Sequence, residues 1–588
     1  MSVARSTLKR VLRERTGRAP RQAWTPRRHV AIQTRDDLAG LVPGLARTLG
    51  RDLDVMSLND RLCPVAFDDG SAGIFVLADY CHDDQTLAVL DLLEARGWKL
   101  NDPSLFILPP ALLLAVDRLR PGDPAGGMYR ATGVKVERSA LVSAFDEIIQ
   151  WALTNGASDI HLNACTAQSE SAVRFTVAGR YISPERYRNI PTAAMLDMLS
   201  VAWMDVQGGN GAVFDPLVEQ QGRLRRRIEG RNVLLRWASL ATDAGPSVCL
   251  RLLIMDQDSL TPDLATLGYL PSQVVAFERA RLVEGGAIVL AGVVGSGKST
   301  TIATLIRDVP PDHKVITLED PAEYLIPNAL QNTVSRTLDA EDGSAFDAKL
   351  KTIKRSAMTD LLIGEIRDLT SGRAFMDLAG CGTNLYTTVH AGSALLICER
   401  MTSDFIGVSR DLLATPGILK LLVFQCLLPT VCVHCACSAD QLMELAAWRC
   451  AAGVQRSARW RSLWLDGIER SIAIPRQSLR FRSPHGCLRC GQSRDEVLCG
   501  TGGRTVVAEM IEPGRSPAFL AGVKNRDAIG LHAWFSARPR SALEDPCMDG
   551  KTVLEAALYQ MALGRIDPKD IESRFGPLGS VTPRSAAR

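Results

Sequence analysis

The spacing of apolar residues predicts several helices and strands along the chain. Between Ser139 and Asn155 apolar residues recur at intervals of three and four, which predicts an amphipathic helix ending near Gly156. A similar spacing from Leu87 predicts a helix near the N-terminus. Short β-like runs then predict strands, namely SDIHLNA, SAVRFTVAG, NVLLRWASL and SVCLRLLIM. From Gly286 onward, strand-like runs followed by helix-like stretches predict an α/β domain.

One apolar run, IVLAG, leads into a glycine-rich turn and then a helix-like stretch. Residues 288–306 read IVLAGVVGSGKSTTIATLI, which matches G-x-x-x-x-G-K-[ST] between a predicted strand and a predicted helix. Such a turn aims backbone N–H groups at phosphate oxygens, its lysine adds a positive charge, and its hydroxyl ligates Mg²⁺. The predicted nucleotide-binding residues are Gly292, Gly295, Ser296, Gly297, Lys298, Ser299 and Thr300.

Three further strand-like segments end in residues that suit phosphate chemistry. The first, KVITLEDPAEYLIP, places Glu319, Asp320 and Glu323 at its end, where they hold metal, orient water or form a solvated acidic turn. DLLIGEIRD places Glu365 directly after a short apolar strand, the usual position of an acid that reaches Mg²⁺. LYTTVHAGSA ends at His390, which is either structural or a sensor of the terminal phosphate.

Two C-x-x-C motifs lie downstream, separated by 51 residues. Their four thiolates would suffice for a closed, tetrahedral, structural zinc site. The predicted ligands are Cys432, Cys435, Cys487 and Cys490, with Cys437 and Cys499 as possible substitutes. The alternatives are four unrelated buried cysteines and, less favoured because thioredoxin-like context is missing, a redox pair.

Composition is that of a soluble globular protein with several domains, since 46% of its 588 residues are hydrophobic and 23% are charged. A net charge of +3 does not by itself indicate a nucleic-acid partner. The basic segment 1–28, with nine Lys or Arg and one acid, is either a solvated tail or a site for anionic lipid or an acidic partner. We find neither a continuous apolar span nor a signal peptide, which predicts a cytoplasmic protein with at most peripheral membrane association.

The order of these motifs resembles the type II secretion and type IV pilus assembly ATPases, over roughly residues 139–588. That family has a phosphate loop, an aspartate box, a Walker B segment, a histidine box and, in its assembly branch, a tetracysteine zinc module. The counterparts here are GVVGSGKSTT, ITLEDPAEY, LLIGEIRD, TTVHAGSA and the two C-x-x-C motifs. ASDIHLN and the segment GRTVVAEMI also look like family segments.

The resemblance implies roles for these residues. Glu319 would polarise the attacking water, Glu365 would hold Mg²⁺ together with Ser299, and His390 would belong to the catalytic set. Arg236 and Arg251, on strands that resemble the family's arginine-bearing strands, would approach the γ-phosphate. The implied cofactors are ATP, Mg²⁺ and a structural Zn²⁺.

Several positions depart from the family pattern. Where the family usually has R-x-R-x-D-G, this chain has Arg174, Thr176, Ala178 and Gly179. Pro246 replaces a frequent glutamate, and the approach to the first C-x-x-C reads Gln-Cys-Leu-Leu-Pro over 425–429. These changes leave the nucleotide motifs intact and concern contacts between subdomains.

The fold implied by the resemblance is α/β, with a RecA-like P-loop ATPase core preceded by a PAS-like α+β subdomain. The expected domains are an N-terminal domain of unknown role (1–125, basic tail 1–28), an N-terminal ATPase subdomain (126–265), the RecA-like core (266–430), the tetracysteine module (431–512) and a C-terminal helical region (513–588). Residues 122–127, GDPAGG, are predicted to be a linker.

The function implied is that of a hexameric ATPase powering assembly of a type IV pilus or a type II secretion pseudopilus. It would sit at the inner membrane, act through a platform protein and thereby serve pilin or pseudopilin subunits, with no nucleic-acid partner. The alternatives are a conjugative or effector secretion ATPase, a P-loop nucleic-acid translocase that would need a basic groove around the RLRRR run (223–227), and an inactive nucleotide-binding scaffold.

Overall fold

A computed structural model describes residues 29–32, 38, 41–50, 52–53, 55, 58, 61–108, 113, 116, 131–256, 262–334, 343–490 and 498–580. The basic tail and the predicted linker 122–127 lie outside these residues. The chain divides into two compact units. The first comprises residues 1–145, 197–204 and 211–214, and the second comprises residues 146–196, 205–210 and 215–588.

The first unit contains a sheet for which the sequence offered no motif. Its strands are β1 (His29–Ala31), β2 (Leu45–Thr48), β3 (Leu62–Phe67), β4 (Ser71–Val76) and β5 (Lys99–Ile107), in the order β1-β5-β4-β3-β2. The helix predicted from Leu87 is α1 (Asp84–Ala95), and it buries its apolar residues against this sheet. The helical spacing in the sequence continues to Leu100, but Gly97 adopts a left-handed φ of +87° and the chain then enters β5.

The predicted helix over 139–155 is part of α2 (Ala131–Thr154), which begins earlier and ends where expected. The β-like runs that follow it are strands of a sheet in the order β10-β11-β12-β6-β7-β8, and we call this the middle sheet. Its elements are β6 (Ala157–Asn163), β7 (Glu170–Val177), β8 (Arg180–Ile182), β9 (Ile190–Pro191, paired with β7), α3 (Thr192–Trp203), β10 (Gln220–Ile228), β11 (Arg231–Thr242) and β12 (Gly245–Ile254). Each of the four predicted strands is confirmed to within two residues at either end.

The third sheet, which we call the core sheet, has the order β15-β14-β16-β17-β13-β18-β19. All neighbours in it are parallel except β18 and β19, which are antiparallel. Its strands are β13 (Gly286–Ala291), β14 (Val315–Glu319), β15 (Ala329–Thr333), β16 (Asp360–Ile363), β17 (Asn384–Val389), β18 (Leu419–Val431) and β19 (Thr501–Ile511).

Helices cover both faces of the core sheet. Along β13, Val289 packs into one apolar cluster with Phe375, whereas Leu290 packs into another with Ile302. The helices are α4 (Leu264–Leu267), α5 (Pro271–Leu282), α6 (Lys298–Arg307), α7 (Gly343–Ile353), α8 (Leu369–Ala379), α9 (Leu396–Met401) and α10 (Arg410–Leu413). Parallel strands buried on both faces explain why these segments read as continuous apolar runs.

The segment between β18 and β19 carries the C-x-x-C motifs and two helices, α11 (Ala439–Glu444) and α12 (Ala458–Ile472). Beyond β19 the described chain is helical, with α13 (Pro517–Lys524), α14 (Ala528–Ala537), α15 (Val553–Ala562) and α16 (Pro568–Phe575). Helix α15 begins with a capping box in which Thr552 and Glu555 satisfy each other's backbone N–H groups.

Candidate functional site

The glycine-rich turn connects the carboxyl end of β13 to the N-terminus of α6. Gly295 and Gly297 adopt left-handed φ values of +75° and +85°, which residues with a side chain rarely adopt. A Cβ on Gly292 would lie 2.4 Å from the Ser296 Oγ. The turn therefore has the backbone geometry of a phosphate cradle at a helix N-terminus.

The Lys298 side chain hydrogen-bonds back to the start of the turn. Its Nζ donates hydrogen bonds to the carbonyl oxygens of Gly292, at 2.9 Å, and Val293, at 3.1 Å. Burial lowers the pKa of Lys298, while the nearby Glu365 and Glu323 carboxylates oppose that shift. The ammonium therefore lies at the turn, within electrostatic reach of the Glu365 and Glu323 carboxylates.

A glutamine on β18 hydrogen-bonds to the turn. The sequence reading named it only as the first residue of segment 425–429 and gave it no role in the site. Gln425 is fully buried, and its Nε2 donates to the Ser296 carbonyl at 2.8 Å. Its Oε1 accepts a hydrogen bond from the Tyr269 hydroxyl. In the same turn the Ser296 Oγ is buried without a hydrogen-bond partner among the described residues, so it remains available to a ligand.

Glu319 is the last residue of β14, and two neighbouring side chains hold it in place. Its Oε1 accepts hydrogen bonds from the Thr317 hydroxyl, at 2.7 Å, and from Gln331 Nε2 on β15, at 3.1 Å. Burial raises the pKa of Glu319, although both hydrogen bonds lower it in part. A carboxylate so positioned and partly desolvated is suited to accept a proton.

Glu365 and His390 lie at the ends of the adjacent strands β16 and β17, and they contact each other. His390 Nε2 is 3.0 Å from Glu365 Oε1, and its Nδ1 is 3.2 Å from the Gly292 carbonyl oxygen. Both partners are acceptors, and a neutral imidazole can donate to only one of them. The histidine therefore contacts both Glu365 and the phosphate turn, and in its neutral form it donates a hydrogen bond to one of them at a time.

Three arginines form a row across the middle sheet. In the strand register Arg223 on β10 pairs with Arg236 on β11, and Arg236 pairs with Arg251 on β12. The row ends on Asp159 of β6, whose Oδ1 accepts a hydrogen bond from Arg251 Nε at 3.0 Å. Like charges on neighbouring strands repel one another, so the row requires compensating anions.

The acidic residues near the phosphate turn supply part of that compensation. Burial lowers the pKa of Arg223, and the Asp320 carboxylate opposes the shift. Burial also acts to lower the pKa of Arg251, but attraction to Asp159 and Glu323 outweighs it and raises the pKa. The arginine row thus lies within electrostatic reach of the carboxylates around the turn.

The sequence reading assigned the γ-phosphate role to Arg236 and Arg251 but not to Arg223, which it noted within a basic run and within QQGRL, a segment that resembles the family's arginine-bearing strands. The signal that could have identified Arg223 is antiparallel register, because pairing β10 with β11 in one hairpin places Arg223 opposite Arg236. Of the same run, Arg226 pairs with Asp205 at 2.9 Å. The run is therefore divided between two roles instead of forming one basic groove.

The altered R-x-R-x-D-G segment lies on the hairpin of β7 and β8, whereas Pro246 lies on β12 and residues 425–429 lie on β18. Thr176 stands opposite Asp159, and its hydroxyl lies 2.8 Å from His161 Nε2. The Arg174 guanidinium lies 5.2 Å from the centre of the Tyr181 ring. The arginine row consequently does not continue beyond Asp159 along this register.

The two C-x-x-C motifs meet in space. Cys432 Sγ is 3.9 Å from Cys487 Sγ, and Cys435 Sγ is 3.7 Å from Cys490 Sγ. All four sulfur atoms lie within 4.8 Å of one another, and this group includes neither Cys437 nor Cys499. Four converging thiols fit a tetrahedral thiolate metal site.

The Cys487 thiol ionises more readily than an ordinary cysteine. Hydrogen bonds from the backbone N–H groups of Cys490 and Arg489 help to lower the pKa of Cys487 to about 7. Burial and the neighbouring thiol groups raise the pKa of Cys435 instead. A bound cation would resolve that conflict by favouring the thiolate at every ligand.

No helix among the described residues is long and apolar enough to cross a bilayer.

The chain is similar to proteins of type IV pilus assembly and of type II secretion. The chain is 29% identical over 303 residues to the type IV pilus assembly ATPase PilB of Thermus thermophilus, which covers 51% of this chain and 32% of that protein. It is 28% identical over 373 residues to the type II secretion system protein E of Klebsiella pneumoniae, which covers 63% of this chain and 65% of that protein. The chain thus spans between about a third and two thirds of the length of these relatives.

Among solved structures, the ATPase DotB of Legionella pneumophila aligns with 73% of this chain and 94% of its own, at 17% identity and a TM-score of 0.45. The family model described as type II/IV secretion system protein matches residues 135–534, which is more than half of the chain. That match includes the phosphate turn, the carboxylates, the arginine row and the four cysteines. The chain therefore belongs to the type II/IV secretion system protein family.

Proposed function

We propose that the chain is an ATP hydrolase that powers assembly of a type IV pilus or of a type II secretion pseudopilus. The observation that carries the proposal is the convergence of four features in one unit: the glycine-rich turn with Lys298, Glu319, the Glu365–His390 pair and the row of arginines. The similarity to the type IV pilus assembly ATPase PilB and to type II secretion system protein E supports the same assignment.

The residues present fit ATP and Mg²⁺. The buried, unpartnered Ser296 Oγ and the left-handed glycines of the turn suit phosphate oxygens, and Ser299 and Glu365 offer oxygen atoms that Mg²⁺ prefers. When bound, Mg-ATP supplies the scissile phosphoanhydride bond and a divalent charge beside it. Lys298 would exchange its two carbonyl contacts for the outer phosphates.

Catalysis would depend on a base and on fixed positive charge. Glu319, held by Thr317 and Gln331, would accept a proton from the attacking water. Arg223, Arg236 and Arg251 would stabilise the charge that develops on the transferred phosphoryl group. His390 would report the state of Glu365 to the phosphate turn through the Gly292 carbonyl.

The larger assembly is part of the proposal. The core sheet would be the RecA-like domain, over about 266–430, and the middle sheet would be the PAS-like subdomain before it. Opening and closing of these subdomains around nucleotide, in a ring of six copies, would drive an inner-membrane platform protein from the cytoplasmic side. Through it, the motor would serve pilin or pseudopilin subunits.

We also propose that Cys432, Cys435, Cys487 and Cys490 hold one structural zinc ion. Support comes from the sulfur separations of 3.7 and 3.9 Å and from the lowered pKa of Cys487. Four protein ligands leave no position for water, so the ion would fix the fold of residues 431–512 and take no part in hydrolysis. A tetracysteine module favours an assembly motor over an effector secretion ATPase of the simplest type.

Replacing Lys298 by alanine tests the hydrolase assignment. We expect a loss of ATPase activity of about 10²-fold or more, because the variant lacks the positive charge at the outer phosphates. The matched control is Lys351→Ala, which removes an exposed lysine on α7 and should leave the rate unchanged. Wild-type turnover in Lys298→Ala would reject the site.

A further inference from the structure

A second group of side chains of metal-ligating types lies in the first compact unit, on the N-terminal sheet. It consists of His29, Cys81 and His82, whose ligand atoms all lie within 4.8 Å of one another. His29 begins the edge strand β1, whereas Cys81 and His82 follow the turn at 78–80 that precedes α1. The group is thus assembled from segments that are distant along the chain.

The three side chains can point their donor atoms at one position. Cys81 is 1% exposed, so its thiol is anchored in the protein. The two histidines are exposed, and their ring centres are 6.0 Å apart with the planes inclined at 71°. Rings at this inclination are not stacked face to face.

We propose that His29, Cys81 and His82 form a zinc site of the N-terminal sheet. Imidazole nitrogen and thiolate sulfur are the donors that Zn²⁺ selects, whereas Mg²⁺ and Ca²⁺ require oxygen. In tetrahedral zinc sites with bond lengths of about 2.0–2.3 Å, donor atoms lie roughly 3.3–3.8 Å apart. The observed separations, at most 4.8 Å, would therefore close by a small movement of the two exposed rings.

Three protein ligands leave the fourth position to water, so the site differs from the closed tetracysteine site. Its role would be to fasten β1 to the sheet. Among the described residues this strand has three residues, all exposed, and it pairs with β5 alone, at the edge of the sheet. A metal bridge from His29 to Cys81 would restrain it as a cross-link does.

Zinc binds the thiolate form of cysteine, so an ion at this position would displace the proton of the Cys81 thiol. The two histidines supply the other protein donors, so binding should depend on them as well as on the cysteine.

The test is a count of zinc in the full-length protein, equilibrated with a small excess of Zn²⁺ and then freed of unbound metal. We expect two zinc ions per chain in the wild type, and one in each of His29→Ala, His82→Ala and Cys81→Ser. The matched controls are His532→Ala, an exposed histidine on α14, and Cys165→Ser, both of which should keep two. Cys487→Ser should also lower the count to one, because it breaks the other site.

The count separates this inference from the tetracysteine proposal. A single zinc that is lost in Cys487→Ser but kept in His82→Ala and Cys81→Ser overturns the N-terminal site and leaves the other standing. A single zinc lost in His82→Ala and kept in Cys487→Ser does the reverse. Because His82 is exposed, its replacement keeps the test valid if Cys81→Ser fails to fold.

Amide hydrogen exchange gives a second readout. With zinc bound, the amides of β1 should exchange more slowly in the wild type, and His82→Ala should abolish that protection. Equal exchange of β1 in the presence and absence of zinc, with the wild type otherwise folded, would refute the proposed cross-link.

Discussion

At the scale of single residues, the chemistry of the site depends on how Glu319 is held. Burial raises its pKa above the ordinary glutamate value, and the hydrogen bond from Gln331 Nε2 opposes that shift because it stabilises the carboxylate. Only the carboxylate can accept a proton from water. ATPase activity should therefore fall as pH decreases through a range above that of an ordinary glutamate.

Replacing Gln331 by alanine should move this acidic limb of the pH–rate profile to higher pH. The variant loses a donor to the charged form, so the pKa of Glu319 rises further, and activity at alkaline pH should stay close to wild type. The measurement is kcat across pH for Gln331→Ala and for Asn332→Ala, the neighbouring position on β15. An unshifted limb in Gln331→Ala would mean that another group limits the rate.

The arginine row gives a second prediction for a single residue. Arg223→Ala should lower kcat at least about tenfold, as should Arg236→Ala, because each removes a fixed positive charge near the reacting phosphate. The matched control is Arg227→Ala, on the same strand and the same face but exposed and paired in register with Asn232. Equal rates in Arg223→Ala and Arg227→Ala would exclude Arg223 from the site.

At this scale, the sequence predicts those site residues that lie close together along the chain. Lys298 and the glycines act within one turn, so their spacing alone identifies them. Gln425 supports the turn from β18, and Arg223 joins the row through the register of β10. The contact of Gln425 joins segments far apart in sequence, and no local pattern encodes it. The position of Arg223 depends on the register of the hairpin between β10 and β11, which the spacing of the arginines alone does not fix.

At the scale of elements, a buried carboxylate joins parts of the second unit. Asp570 on α16 lies 2.8 Å from Arg180 Nη2 at the start of β8 and 3.0 Å from Arg482 Nε in the segment between the C-x-x-C motifs. The Asp570 side chain is 1% exposed and that of Arg482 is 7% exposed. Ion pairs with Asp570 thus join the β7–β8 hairpin, the cysteine-bearing segment and the C-terminal helices.

Asp570→Ala should destabilise this unit by about 3–5 kcal/mol, because it leaves Arg482 buried without its carboxylate partner. Arg180→Ala should cost about 1 kcal/mol or less, since its side chain is 34% exposed. Urea unfolding followed by intrinsic fluorescence, with the exposed Asp411→Ala as control, measures both. Similar midpoints for Asp570→Ala and Asp411→Ala would contradict the role of the junction.

Elements were predictable where one periodicity dominates. The helix ending near Gly156 and the strands β6, β7, β11 and β12 show clear spacing, and the structure confirms them. The N-terminal sheet was missed because its central strands β3 and β4 are buried at every residue and lack alternation. The apolar spacing after Leu87 extended too far because Gly97, which ends the helical turn, does not interrupt it.

At the scale of the whole molecule, one exposed aromatic residue suggests where a second copy of the chain would bind. Phe405 is 77% exposed, and the turn that carries it packs on α8, where Leu369 is 47% exposed. A Cβ on Gly407, in the same turn, would lie 2.8 Å from the Leu369 side chain. An exposed aromatic residue on a turn that packs next to an exposed leucine is a candidate for a protein–protein contact.

We expect this surface to contact a second copy of the chain when nucleotide is bound. In sedimentation velocity with Mg²⁺ and a non-hydrolysable ATP analogue, the wild type should sediment as a closed ring of about six copies. Phe405→Asp should sediment mainly as smaller species, because it places a charge in a desolvated contact.

The control for that experiment is Leu463→Asp, which alters another exposed apolar residue, on α12, and should leave the ring intact. If both variants assemble as the wild type does, Phe405 lies outside the interface. If the wild type itself stays a single chain with nucleotide bound, a ring motor is excluded, because subunits that do not touch cannot transmit closure of one site to the next.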